Sequence, residues 1–178
     1  GAIARINVDL RGLYLSAYQS ALWNRWLTRF IQAQCDSAVL TKFDLISGQG
    51  IFPLTPTAET IAMLNDTELQ LPCARIDRPD GVAGDQLDAV LQEAQIELRE
   101  LRVKYPRDSF FSKGMRRAMI RPTGLACKVE SDELHDNRQK LTLSFDLPRG
   151  SYATILVKRL TEVESETSLH VGRTEQTQ

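Results

Sequence analysis

The chain has 178 residues, of which 42% are hydrophobic and 25% are charged, and its formal net charge at pH 7 is -1. This length can bury a core in one or two domains, the composition is that of an ordinary soluble globular protein, and no apolar run approaches the roughly 20 residues of a membrane helix. The near-zero net charge gives no global sign of a nucleic-acid partner, so the charge has to be considered locally.

The start of the chain and the spacing of its cysteines bear on secretion and on the redox state of the thiols. The first residue is Gly rather than Met, and no basic stretch followed by an apolar segment opens the chain. We therefore expect a processed or truncated chain without a secretory signal. Cys35, Cys73 and Cys127 are far apart and form no C-x-x-C pair. This spacing predicts buried, reduced thiols in a cytoplasmic protein, with no disulfide and no metal site.

The first third of the chain contains the strongest helical pattern. Residues 9–12 are expected to form a turn or a short extended entry. A helix is predicted from Ser16, as its N-cap, to Gln34. Its apolar side chains recur every four residues and are expected to face the core. They are Tyr18, Leu22, Trp26 and Phe30.

The middle of the chain alternates short strands and helices. Residues 38–46 are predicted to be one strand or two short ones, and residues 47–53 a glycine-containing turn leading into extended chain. Thr55 followed by Pro56 fits an N-cap with proline at the first helical position, and a short helix would follow. Residues 69–76 are expected to be extended. A second amphipathic helix is predicted from about Asp85, with a break near Ile96 and a short turn after it.

The last third is richer in strands. Strands are expected at residues 115–122 and 125–130, with a polar connection at 131–137. Residues 140–147 alternate strictly between apolar and polar side chains, which predicts an antiparallel strand with one buried and one exposed face. A final helix is predicted at about 151–160, with Ala153, Ile155, Leu156 and Leu160, or some of them, buried. Residues 162–178 are poor in apolar groups and are expected to be disordered.

A basic segment runs from Arg99 to Arg121. It holds eight basic residues against only two acidic ones, Glu100 and Asp108, and three aromatic rings are interleaved. The rings are Tyr105, Phe110 and Phe111. Cations with aromatic side chains suit RNA, whose phosphates attract positive charge and whose unpaired bases stack on rings. A solvated basic face with the aromatics turned inward fits the same pattern, and the sequence leaves both interpretations open.

Local motifs assign no reaction. His135 lies in a polar connection and His170 in the tail, so no catalytic triad is indicated. Asp146 on the polar face of a strand is best explained as strand polarity, and the glycine-containing turn lacks the spacing of a phosphate loop. The turn formed by Arg149, Gly150 and Ser151 could be a tight corner between strand and helix, or an anion site at a helix N-terminus.

Several segments, taken together and in order, resemble the TruD family of tRNA pseudouridine synthases. LPRGSYATILVKRL at residues 147–160 is similar to that family's C-terminal signature, and GMRRAMIRP at 114–122 resembles its paired-arginine strand. LYLSAYQSALWNRWL at 13–27 is similar to its Leu-Ser-Ala helix. GQGIFPLTPTAE and LQLPCARI stand in the expected order between them. The resemblance covers roughly residues 10–161.

The resemblance implies a reaction and a fold. Enzymes of this family isomerise a uridine of tRNA, at position thirteen in the bacterial members, to pseudouridine without a cofactor, using a catalytic Asp and a pocket for a flipped-out base. The implied fold class is α+β: part of a pseudouridine-synthase fold, with an antiparallel or mixed sheet and an α/β inserted domain. Residues 1–114 would then form the inserted domain, and 115–161 the last part of the catalytic domain.

The chain also departs from the family pattern. The family's catalytic Asp lies in a Gly-x-Lys-Asp motif, and neither this motif nor the Asn-x-Phe-Gly-x-Gln-Arg-Phe-Gly segment occurs here. Both would precede residue 1, so no catalytic residue can be assigned and the chain alone is expected to be inactive. Lys158 and Arg159 also stand where the family more often has Arg-Glu.

These expectations define partners and candidate contacts. The partners are tRNA and the N-terminal remainder of the catalytic domain, with no cofactor, metal or membrane. The residues expected to contact RNA are Lys113, Arg116, Arg117, Arg121 and Arg149. The alternatives are a non-catalytic RNA-binding or interaction module derived from this fold, and a structural domain without an RNA role.

Overall fold

The computed structural model describes residues 5–46, 48–105, 107 and 109–161. The predicted tail at 162–178 therefore lies outside the described residues. The elements occur in the order α1 (Val8–Gln34), β1 (Leu40–Leu45), β2 (Gly48–Pro53), α2 (Ala58–Asp66), β3 (Glu68–Gln70), α3 (Gly81–Glu93), β4 (Met115–Arg117), β5 (Thr123–Ser131), β6 (Gln139–Asp146) and α4 (Ala153–Thr161).

Helix α1 begins eight residues before the predicted start. Its N-cap is Asn7, whose side-chain Oδ1 accepts a hydrogen bond from the amide of Asp9 at 2.8 Å. An N-cap side chain satisfies an amide that the first helical turn leaves unpaired, so the helix can begin there. The prediction of a turn at residues 9–12 and of Ser16 as N-cap was therefore wrong. No helix in the described ranges combines the length and apolarity required to cross a bilayer.

The core lies between α1 and α3. Leu22, Trp23 and Trp26 of α1 pack in one cluster with Leu87 and Val90 of α3. Because burying such a side chain contributes about 1.5–3 kcal/mol, this contact holds the two helices together. Tyr18, which the four-residue pattern placed on the core face, is 44% exposed. Leu22, Trp26 and Phe30 are buried as predicted, and Trp23 is buried in addition.

A second cluster continues the core towards the first strands. Phe30 and Ile31, near the end of α1, pack with Ile51 of β2 and Leu64 of α2. The side chain of Glu93 at the end of α3 forms ion pairs with both Arg25, at 2.9 Å, and Arg29. These groups are partly exposed, and exposed pairs contribute about 0–1 kcal/mol, so the apolar clusters carry most of the stability.

In the described part of the chain, the strands form three separate antiparallel pairs, β1 with β2, β3 with β4, and β5 with β6. The predicted α+β class is confirmed. The strand predicted at 115–122 is shorter than expected, since only Met115–Arg117 pairs with β3. The strands predicted at 38–46, 125–130 and 140–147 are confirmed with small shifts of their ends.

The starts of the two middle helices differ from the sequence expectation. The N-cap of α2 is Thr57, whose hydroxyl accepts a hydrogen bond from the amide of Thr60 at 3.1 Å, so Thr55 is not the cap. Helix α3 begins at Gly81 rather than near Asp85. For α2, the two threonines lie two positions apart and both can cap a helix, so the local pattern alone does not choose between them.

The β5–β6 ribbon has no buried face among the described residues. Every residue of β5 is exposed, and in β6 the side chains of Leu143 and Phe145 are only half-buried. Leu141, predicted on the buried face, is 56% exposed. The alternation correctly predicted the strand, but the predicted burial was wrong because no described element covers the apolar side chains.

Arg159 of helix α4 contacts the end of β2. Nη2 of Arg159 donates hydrogen bonds to the carbonyl oxygens of Pro53 at 2.6 Å and Leu54 at 3.1 Å. The guanidinium also lies 5.3 Å from the centre of the Phe52 ring, which stacks on Phe43. Burial lowers the pKa of this guanidinium from its ordinary value. No residue of α4 is buried, so Ala153 and Leu160 are exposed and the burial predicted for them was wrong.

The cysteines are unpaired and differ in exposure. Cys73 is buried, Cys35 is half-buried and Cys127 is exposed on β5. The prediction of three buried thiols is therefore confirmed only for Cys73. Burial raises the pKa of the Cys35 thiol.

Candidate RNA-binding surface

The backbone that carries the second half of the basic segment is fixed by a buried glutamine. Gln19 of α1 is 2% exposed, and its Nε2 donates to the carbonyl oxygens of Pro72 at 3.0 Å and Ser112 at 2.8 Å. The amide of Leu71 donates to the carbonyl of Gly114 at 2.8 Å, next to the β3–β4 pair. A buried side-chain amide that donates two hydrogen bonds holds its two acceptors in place, because separating them would leave buried polar groups without a hydrogen-bond partner.

Arg116 faces the core. Its guanidinium lies 5.6 Å from the centre of the Trp23 ring, and the side chain is half-buried. Nε1 of Trp23 donates to the carbonyl of Leu69, the residue that pairs with Arg116 across the ribbon. A cation over an indole ring contributes about 0.5–1 kcal/mol at a site of this kind. Arg116 is thus a packing residue as well as a cation near the surface.

Arg117 points away from Arg116. Successive side chains of a strand lie on opposite faces, so the two arginines cannot share one surface of β4. Arg117 Nε lies 3.2 Å from Oε1 of Glu68, its direct neighbour on β3. Both side chains are exposed, and an exposed pair of this type is weak. The ion pair reduces the local positive charge without removing Arg117 from solvent.

Arg121 and Arg149 approach one end of the β5–β6 ribbon. Thr123 pairs with Asp146. Arg121 comes two residues before this pair and Arg149 three residues after it, so the register places both at the same ribbon end. Both side chains are exposed, as is that of Lys113 in the loop before β4. The five candidate residues therefore fall into two groups, one around β4 and one at this ribbon end.

The three aromatic side chains of the basic segment differ in exposure, so each of the two interpretations of the sequence fits some of them. Tyr105 and Phe110 are exposed, whereas Phe111 packs against the cluster between α1 and α3. Two rings are thus available at the surface and one is part of the fold. Another cation of the segment, Arg99, forms an ion pair with Glu97.

The turn before α4 is a corner. Gly150 has a φ of +87°, a conformation that other residues adopt only with strain. The amide of Ser151 donates to the carbonyl of Pro148 at 3.2 Å. The helix begins at Ala153, so Ser151 is not its N-cap as predicted. Of the two sequence interpretations, the geometry supports the tight corner.

Titratable groups do not gather into a metal site. Among the described residues, no group of three or more His, Cys, Asp or Glu side chains could hold a metal ion. His135 and Asp146 are exposed, at the β5–β6 connection and the end of β6, while His170 lies outside the described residues.

Sequence reasoning missed Gln19. It occupies the buried face of α1 one turn before Trp23, a position where an apolar residue is expected. A polar side chain in a buried helical stripe indicates a specific hydrogen-bonded partner. That signal was present in the sequence, but the partners, Pro72 and Ser112, lie far away along the chain.

Helices combined with antiparallel strand pairs define the α+β class, and the match to known proteins specifies the family. A model described as tRNA pseudouridine synthase D (TruD) matches residues 1–160. The chain therefore belongs to the TruD family.

Relatives and one solved structure agree with this assignment. The tRNA pseudouridine synthase D of Aquifex aeolicus is 31% identical over 156 residues, covering 85% of this chain and 37% of that one. The "Probable tRNA pseudouridine synthase D" of Methanosarcina acetivorans is 26% identical over 180 residues, covering 92% and 40%. The crystal structure of a Methanosarcina mazei protein assigned to TruD aligns with a TM-score of 0.58 at 22% identity, covering 89% of this chain and 39% of that one. The chain thus spans about two fifths of the length of these relatives.

Proposed function

We propose that this chain is part of a tRNA pseudouridine synthase and contributes tRNA binding and scaffold to it. The observation that carries the proposal is membership of the TruD family, joined to a basic segment with exposed cations. The proposed reaction converts a uridine of tRNA, of the position-thirteen type, to pseudouridine. The bond from N1 of the base to the ribose breaks, the base rotates, and a bond from C5 of the base to the ribose forms. Because the atoms only rearrange, the reaction consumes no co-substrate.

The catalytic Asp is proposed to belong to another part of the whole protein. The chain matches only about two fifths of each relative, so the larger part of each relative lies outside the match. The resemblance assigns the Asp to a Gly-x-Lys-Asp motif that does not occur in this sequence. We therefore expect the chain alone to bind tRNA without forming pseudouridine. A tRNA substrate also agrees with a cytoplasmic location.

The β5–β6 ribbon and α4 are proposed to complete the catalytic domain. An isolated two-stranded ribbon is at best marginally stable in water. Here neither face of the ribbon is covered by a described element. The remainder of the catalytic domain would cover it. In this proposal residues 1–114 form the inserted domain and 115–161 the catalytic part. The β3–β4 pair would then join the two parts, since β4 follows residue 114 and β3 precedes it.

The five candidate residues have unequal roles in the proposal. Lys113, Arg121 and Arg149 are exposed and fit phosphate contacts. Arg117 fits the same role once its ion pair with Glu68 opens. Arg116 contributes less, because part of its side chain is taken up by the contact with Trp23.

Salt dependence of tRNA binding tests these roles. Each phosphate contact that is lost reduces the slope of log affinity against log salt concentration by about 0.7–1 unit. Replacing Lys113 and Arg121 together by Ala should therefore weaken tRNA binding and flatten the slope by about 1.5–2 units. The pair Arg116→Ala and Arg117→Ala should have a smaller effect on the slope.

A charge-matched variant provides the control. Lys42 on β1 and Arg75 after β3 are exposed cations outside the basic segment, and replacing both by Ala removes the same formal charge. This variant should keep the wild-type slope. If the salt dependence of tRNA binding is unchanged in the Lys113 and Arg121 variant, these two residues do not contact phosphates. The same follows if the control variant changes the salt dependence equally.

A further inference from the structure

Phe110 is held at the surface between two residues that face inward. Its side chain is 66% exposed, whereas Ser109 before it is 4% exposed and Phe111 after it packs against the cluster between α1 and α3. Ser109, which is buried, and Phe111, which is half-buried, together set the direction in which Phe110 points. Its exposure is therefore imposed by the packing of the loop.

The backbone after Phe110 is fastened to the core. Nε2 of Gln19 donates to the carbonyl of Ser112, and the amide of Leu71 donates to the carbonyl of Gly114. An aromatic ring on a fixed backbone loses little conformational freedom when it binds, and binding by a preorganised group is stronger for that reason.

Positive charge accompanies this ring. Lys113 follows three residues later and is exposed, and the exposed cations Arg102, Lys104 and Arg107 precede it along the chain. A single exposed apolar residue is ordinary on a protein surface. A fixed, exposed ring with exposed cations on both sides of it along the chain has the two components that recognise unpaired RNA, a stacking platform and phosphate attraction.

We propose that Phe110 stacks on an unpaired base of the bound tRNA while the neighbouring cations hold the phosphates. This inference rests on the proposed tRNA binding. It specifies which part of the tRNA the ring recognises, an unpaired base rather than a base-paired helix. Bases inside a helix are already stacked on each other, so a ring on the protein surface can stack only where a base is unpaired or at a helix end.

The test compares variants of the full chain in binding to a tRNA transcript. Phe110→Ala should weaken affinity roughly 5- to 150-fold, the range measured when a base-stacking aromatic is replaced by Ala. The slope of affinity against salt should stay at the wild-type value, because no charge is lost. Leu134→Ala, which shortens another exposed apolar side chain on the β5–β6 connection, should bind as the wild type does.

Phe110→Trp provides a second, direct readout. It keeps a ring at the position, so tRNA affinity should stay near the wild-type value, and the indole fluorescence should be quenched as a base stacks on it. Trp23 and Trp26 are buried and contribute a background that the wild-type chain measures separately.

The outcomes separate this inference from the proposed function. Wild-type binding of tRNA together with an unchanged affinity of Phe110→Ala would overturn the stacking role and leave the proposed function standing. Failure of the wild-type chain to bind tRNA at low salt would overturn both. If Phe110→Ala instead lost binding to vesicles of anionic lipid while its tRNA affinity was unchanged, the ring would belong to a membrane contact and the inference would be wrong.

Discussion

Gly84 of α3 stands where its neighbours leave no room for a side chain. Arg78 folds back over the start of the helix, with Nε donating to Asp88 at 2.7 Å and Nη2 donating to Asp85 at 2.7 Å. These two carboxylates raise the pKa of the Arg78 guanidinium. A Cβ added at Gly84 would overlap the carbonyl oxygen of Pro79 and the guanidinium of Arg78. The glycine therefore permits a close approach of the loop to the helix.

This geometry predicts opposite effects for two helical glycines. In general, replacing a helical glycine by alanine stabilises the helix by about 0.5–1 kcal/mol. Gly12→Ala in α1 should follow this rule, because a Cβ there meets no atom within 4 Å. Gly84→Ala should instead destabilise the protein by about 1–3 kcal/mol, since the backbone carbonyl of Pro79 must move.

Chemical denaturation of the two variants measures this difference. The midpoint should rise for Gly12→Ala and fall for Gly84→Ala, with similar dependence on denaturant in both. Equal stabilisation by the two substitutions would mean that the Arg78 loop does not lie against α3 as described.

At the scale of elements, α4 depends on Arg159. Replacing Arg159 by Met keeps much of the side-chain length but removes the hydrogen bonds to Pro53 and Leu54 and the contact with the Phe52 ring. Hydrogen bonds from a charged donor contribute about 1.5–3 kcal/mol each when buried, and this partly buried group should contribute less. We expect faster amide hydrogen exchange in α4, with exchange in α1 unchanged.

The control for this prediction is Arg149→Met, which removes an exposed cation from the turn before α4. It should leave exchange in α4 at the wild-type rate. Equal loss of protection in both variants would show that charge near the helix matters, and that the contact with β2 does not.

The elements also show what a local sequence pattern can and cannot predict. The strict alternation at 140–147 and the apolar spacing of α1 gave the right element types, because period and burial are linked along one element. The pairing of Leu69 with Arg116 could not be predicted, because its partners lie far apart in sequence. The candidate RNA-binding residues were chosen from local charge and the family resemblance, and neither reveals that Arg116 packs on Trp23 or that Arg117 pairs with Glu68.

At the scale of the whole molecule, the chain has one well-packed part and one uncovered part. The buried side chains come from α1, α2, α3, the first three strands and the connections that follow β3 and α3, while β5, β6 and α4 contribute none. Apolar side chains such as Leu125, Val129 and Leu141 are exposed on the ribbon. Exposed apolar groups on adjacent strands indicate a missing contact. In the proposed function that contact is made by the rest of the synthase.

Pseudouridine formation by a fusion protein tests the proposed function, in which the chain is one part of a synthase and is inactive alone. The part of the Aquifex aeolicus relative that this chain does not match would be joined to the chain, and pseudouridine would be measured in a tRNA transcript after incubation with the fusion or with the chain alone. The prediction is that pseudouridine forms with the fusion and not with the chain alone, although both bind the tRNA. Pseudouridine formed by the chain alone would contradict it.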